Sequence, residues 1–157
     1  MTILEPSLQP REAASPAPSE AEAGGVLTID LAAVESNWRK LAGITLPVEC
    51  AAVVKADAYC CGLEQVTAKL YKAGCTTFFV ADVGEGRRVR AHARQAVIYV
   101  LNGVLPNTGR ALSEAHLRPV INSTTELAEW DAFVDELHTR WGGSWANPRA
   151  NQKSSEG

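Results

Sequence analysis

Four short apolar runs, each followed by a segment with helical spacing, constrain this chain more than any other feature. The runs lie near Val48–Val54, Thr76–Ala81, Ala96–Leu101 and Pro119–Ile121. They are largely continuous rather than alternating, as strands are when helices cover a parallel sheet. The segments after them read as helices near Gly62–Ala73, Gly84–Ala93, Asn107–Ala115 and Thr124–Leu137. Leu63, Val66 and Leu70 share one face of the first. The last opens on Ser123-Thr124-Thr125-Glu126, a capping box, and repeats Leu127, Trp130, Val134 and Leu137 at helical spacing. Upstream, Val26 to Asp30 reads as a short strand, and Asp30 is placed to cap a helix carrying Leu31, Val34, Trp38 and Leu41. Alternating strands and helices fit two α/β architectures, a doubly wound open sheet and a (β/α)8 barrel. The pattern alone does not separate them.

Composition narrows the function classes. A length of 157 residues suits one domain, and a net charge of -3 gives no electrostatic reason to expect nucleic acid or an anionic membrane as partner. The longest apolar run, Ala96 to Leu101, is far shorter than the roughly 20 residues of a membrane span. The N-terminus has neither the basic start nor the apolar stretch of a secretory signal, so a cytoplasmic location is expected. Residues 1–25 are rich in Pro, Ala, Ser and Glu and predict a disordered tail. Residues 26–137 form the expected folded unit, and 138–157 an irregular, disordered end. Cys50, Cys60, Cys61 and Cys75 make no disulfide framework, and the apolar surroundings of Cys50 predict a buried thiol. His92, His116 and His138 lack ligand spacing, so no metal site is expected.

The chemistry concentrates at Lys55. It closes the run Cys50-Ala51-Ala52-Val53-Val54 and opens the polar turn Ala56-Asp57-Ala58-Tyr59. A desolvated ammonium is costly, and desolvation favours the neutral amine that condenses with aldehydes. A lysine at a strand end also snorkels readily to water. The position by itself leaves both readings open.

The neighbouring residues carry more. Val53-Val54-Lys55-Ala56-Asp57-Ala58-Tyr59 with Gly62 resembles the cofactor-lysine signature of alanine racemases, V-V-K-A-D/N-A-Y-G-x-G. Leu27-Thr28-Ile29-Asp30-Leu31-Ala32-Ala33-Val34 with Asn37, Asp82-Val83-Gly84-Glu85-Gly86, and Tyr99-Val100-Leu101-Asn102-Gly103 resemble further family segments in the same order. The resemblance covers about residues 26–133, the first third of a typical member. It implies part of a (β/α)8 barrel, about four βα units of the pyridoxal-phosphate-binding alanine racemase N-terminal type. It also implies interconversion of L- and D-alanine for peptidoglycan, with pyridoxal 5'-phosphate as cofactor and a homodimeric assembly. Lys55 then matches the residue that holds the cofactor and acts as base or acid on one face of the substrate. Tyr59 matches the tyrosine that hydrogen-bonds the cofactor phosphate.

Two departures stand out. Cys60 occupies a slot that is usually glycine, in a turn that calls for positive φ. After Leu137 the family's continuation, a strand ending H-x-D-T-G-M-x-R, is missing, which predicts a truncated racemase with little activity alone. The opposite-face tyrosine, the arginines and the phosphate-binding loops of the family have no matching residues here.

Other readings rank lower. The chain could be a non-catalytic pyridoxal-phosphate-binding remnant or a single-barrel carrier of that cofactor, although the carrier's lysine motif lacks the A-D-A-Y continuation. A dinucleotide-binding module is disfavoured because Val89 stands where the third glycine or alanine of G-x-G-x-x-G belongs. Arg87, Arg88, Arg90 and Arg94 read as a solvated helix face.

Overall fold

A computed structural model describes residues 24–141. The tails expected at 1–25 and 138–157 fall largely outside the described residues. Helix α1 spans Leu31–Thr45. It is followed by β1 at Ala52–Val53, α2 at Lys55–Cys60, α3 at Leu63–Ala73, β2 at Thr77–Val80 and α4 at Val83–His92. The chain continues through β3 at Val97–Val100, α5 at Gly109–Glu114, β4 at Arg118–Pro119 and α6 at Thr124–Trp141.

The strands form one parallel sheet in the order β1-β2-β3-β4. Successive right-handed crossovers that never reverse direction put every connecting helix on the same face. A doubly wound sheet requires a reversal. This strand order therefore decides the question that periodicity left open, and the fold is a partial (β/α) barrel. Ala52, Val54, Phe78, Val80, Ile98 and Val100 bury themselves under the helices against Leu63, Val66, Leu70, Val89 and Leu112. The opposite face carries the cross-strand row Val53, Phe79, Tyr99 and Arg118. There Phe79 stacks on Tyr99 with ring centroids 5.0 Å apart, and the Arg118 guanidinium sits 5.8 Å above the Tyr99 ring.

Several local expectations change. Val26–Asp30 forms no strand, because no described strand lies beside it to satisfy its backbone groups. Asp30 does cap α1, its Oδ1 accepting from the Ala32 and Ala33 amides at 2.9 and 3.0 Å. At α6 the Glu126 amide donates to Ser123 Oγ at 3.2 Å, but the Glu126 carboxylate reaches one residue further back, accepting from the Asn122 amide at 2.9 Å. Helix α6 also runs four residues beyond the expected Leu137. Cys75, not Cys50, is the buried thiol, and burial pushes it up to about 11. Among the described residues no helix is long and apolar enough to cross a membrane.

The arginine cluster is not a uniformly solvated face. Arg90 folds back and donates to five backbone carbonyls, those of Ala93, Arg94, Ala96, Ala115 and His116. Arg88 is committed elsewhere.

Candidate active site

Lys55 lies two residues beyond Val53, the last residue of β1. Val54, with φ -122 and ψ 19, has already left the extended conformation. The next five residues all take positive φ: Ala56 at 53, Asp57 at 54, Ala58 at 54, Tyr59 at 55 and Cys60 at 66 degrees. This is a left-handed turn built without glycine. Each such residue costs roughly 1–2 kcal/mol, so the turn persists only because its surroundings hold it. Gly62, at φ +88, makes the exit into α3 without that penalty.

The Ala58 amide donates to the Val54 carbonyl at 2.9 Å, and Gly62 to the Asp57 carbonyl at 3.0 Å. Further ties come from α3 and α4. The Asp57 amide donates to Glu85 Oε1 at 3.0 Å, while Glu85 Oε2 accepts from the Ala81 amide at 2.9 Å. Asp57 Oδ1 accepts from the Leu63 amide and from Arg88 Nη2, at 3.2 and 2.6 Å. Arg88 also forks onto both oxygens of Glu64 at 2.6 and 3.0 Å, and holds that carboxyl down to about 2.

Cys60 carries the strain most openly, being exposed and at φ +66. Cys60→Gly is expected to raise stability by about 0.5–1 kcal/mol, the relief of left-handed strain less the added freedom of the unfolded chain. Urea denaturation measures it, and a variant less stable than wild type would contradict the assignment of strain.

Lys55 and Tyr59 lie at either end of this turn. Lys55 is half-buried, so the desolvation expected for its amine is only partial. Tyr59 is exposed. Neither the amine nor the phenol has a hydrogen-bond or ionic partner among the described residues. Both stand at the C-terminal end of the sheet, where barrel folds collect reactive groups.

Comparison with known proteins gives the family. The sequence profile of the alanine racemase N-terminal domain matches residues 29–142. The chain belongs to the alanine racemase family. It is 52% identical over 117 residues to an alanine racemase of Methylobacterium nodulans, covering 74% of this chain and 32% of that protein. The alanine racemase of Brucella melitensis is 43% identical over 116 residues, covering 73% and 29%. The chain thus spans about a third of the length of the curated relatives it matches. Among solved structures, alanine racemase from Bartonella henselae with covalently bound pyridoxal phosphate superposes with a TM-score of 0.67 at 34% identity. That match covers 70% of this chain and 31% of that one.

Membership in the alanine racemase family gives the Asp82–Gly86 segment its meaning. Asp82 caps α4 by accepting from the Glu85 amide at 2.9 Å. Gly86 is buried, and a Cβ there would lie 2.6 Å from Leu117 Cδ1. The glycine serves close packing against the next unit, not a dinucleotide phosphate. In the sequence Glu85 stood out only as part of a family segment and Arg88 only as part of a solvated arginine cluster, neither as a site residue. Their spacing of three on one helix was legible, but their partner Asp57 lies 28 and 31 residues away. Among the described residues, no group of three or more His, Cys, Asp or Glu side chains could hold a metal ion.

Proposed function

We propose that this chain carries the cofactor-binding lysine half-site of a pyridoxal-phosphate-dependent alanine racemase, with Lys55 as the attachment residue. The observation that carries the reading is an amine at the C-terminal end of β1 and, beyond a strained turn, a phenol, neither with a partner among the described residues. Those two groups fit the two ends of one small molecule: an amine for an aldehyde and a hydroxyl for a phosphate. The match to racemases of the same family over this segment supports it.

The cofactor, when bound, withdraws electrons from an amino acid's α-carbon and makes the α-proton removable. Lys55 Nζ would hold the cofactor by its aldehyde and would accept or return the α-proton on one face of the substrate. The Tyr59 hydroxyl would donate a hydrogen bond to a phosphate oxygen of that group. The helix-covered sheet beneath keeps the strand ends in fixed register. Alanine is the proposed substrate. Proton transfer on the opposite face is assigned to a group outside the third of the relatives' length that this chain spans. A cofactor-holding chain without turnover is the second reading, and the open face around Val53, Phe79, Tyr99 and Arg118 favours it for the 157 residues alone.

The test is covalent trapping. The chain is mixed with pyridoxal 5'-phosphate, reduced with borohydride, digested and mapped. A pyridoxyl label on Lys55 is expected; a label elsewhere, or none, sinks the proposal.

A further inference from the structure

We propose that Glu85 and Arg88 are positioning residues that set the separation of Lys55 and Tyr59 by clamping the left-handed turn between them. The inference rests on the reading of Lys55 and Tyr59 given above and names the device that prepares them.

Asp57 is the midpoint of that turn, two residues from the amine and two from the phenol. It is gripped from two directions. Its amide donates to Glu85 Oε1, and its carboxylate accepts from Arg88 Nη2. Residues 85 and 88 are three apart on α4 and so project from one face of that helix. The second oxygen of Glu85 accepts from the Ala81 amide at the end of β2. One carboxylate therefore pins the turn to the neighbouring strand. The Arg88 fork on Glu64 anchors the other side to the first turn of α3. Ala56, Ala58 and Tyr59 have no local preference for positive φ, so the conformation is imposed by the next βα unit. A turn released from this clamp would relax toward ordinary backbone, and the amine and phenol would move relative to each other. Binding one ligand through both groups needs them held in advance.

These pairs contribute little to global stability. The Arg88, Asp57 and Glu64 side chains are between about a third and a half exposed, and exposed ion pairs are screened by water. Loss of the clamp thus separates from unfolding. Glu85→Gln is the decisive variant, because an amide offers one acceptor and sets its NH2 against one of the two backbone amides. Its melting transition is expected close to that of wild type. Its Asp57 amide is expected to lose hydrogen-exchange protection in the unloaded chain, and its affinity for pyridoxal 5'-phosphate to fall about tenfold. Arg88→Ala is expected to act in the same direction, Arg88→Lys to recover part of the loss, and Arg87→Ala, exposed on the same helix, to match wild type. Because both residues act on one turn, the double variant is expected to fall short of the sum of the two single effects.

Wild-type affinity in both Glu85→Gln and Arg88→Ala, with wild-type protein labelled at Lys55, overturns the clamp and leaves the lysine assignment standing. Wild-type protein that takes no label at Lys55 overturns both.

Discussion

Lys55→Ala is expected to abolish borohydride-trapped pyridoxyl label completely, while shifting the free energy of unfolding by no more than about 1 kcal/mol. The two halves of that expectation have separate grounds. Lys55 is half-buried and bonded to nothing among the described residues, so removing its side chain breaks no hydrogen bond or ion pair. The strand before it stays held by Val54, which is 1% exposed under the helices. The chemical half follows from the placement of the other described lysines. Lys69 is paired with Glu35 at 2.8 Å, and Lys40 and Lys72 are exposed on α1 and α3, away from the strand ends. None of these three stands at the mouth; Lys153 lies outside the described residues. Label intake and circular dichroism are read on the same samples. A variant that remains folded and still labels would show that the amine is a surface lysine like the others. A variant that unfolds would show that the strand end depends on Lys55 for structure.

The fold was legible in the sequence to the extent that burial wrote it. Phe78, Val80, Ile98 and Val100 are in apolar runs because they face helices, and those runs were readable as strands of a parallel sheet. Strand lengths were not. Val48 was read into β1, yet it lies 68% exposed ahead of a two-residue strand. An apolar residue in a loop looks the same in one dimension as one in a ladder. The end of α6 was set too early, since Trp141 continues the spacing of Leu127, Trp130, Val134 and Leu137. His138, Thr139 and Arg140 continue the helix, and the glycine pair at 142 and 143 was the better stop signal. The choice between barrel and open sheet rested on strand order, which local pattern does not encode.

The site was legible unevenly. The lysine and tyrosine stood out because their motif is specific, and Cys60 betrayed a positive φ by replacing the glycine of that motif. The four left-handed residues before it gave no such sign. Alanine and tyrosine take that conformation only under tertiary compulsion, and the compulsion comes from α4. The arginine cluster misled for a related reason. Charge on a helix usually faces water, and the backbone carbonyls that recruit Arg90 belong to loops brought together only by folding.

Arg90→Met is expected to lower the unfolding free energy by about 3–5 kcal/mol, the largest stability effect among these variants. The methionine keeps most of the side-chain stem but no donor. The guanidinium now meets the carbonyls of Ala96 and His116 at 2.7 Å, Arg94 at 3.0 Å, Ala115 at 3.3 Å and Ala93 at 3.4 Å. Ala93 and Ala115 are the C-caps of α4 and α5, so one side chain satisfies the ends of two helices and the approach to β3. Burial pushes the Arg90 guanidinium below its ordinary value, the direction expected of a cation held by dipoles with no carboxylate paired to it among the described residues. Water can reach some of these carbonyls once the donor is gone, which keeps the loss below five full hydrogen bonds. Arg90→Lys should fall between, since a point donor cannot span the fork. Chemical denaturation with an unchanged slope measures the difference. A loss under 1 kcal/mol would mean that the helix ends hold themselves. Helix α4 would then serve only the turn that Glu85 and Arg88 clamp, instead of joining that turn to the unit that follows.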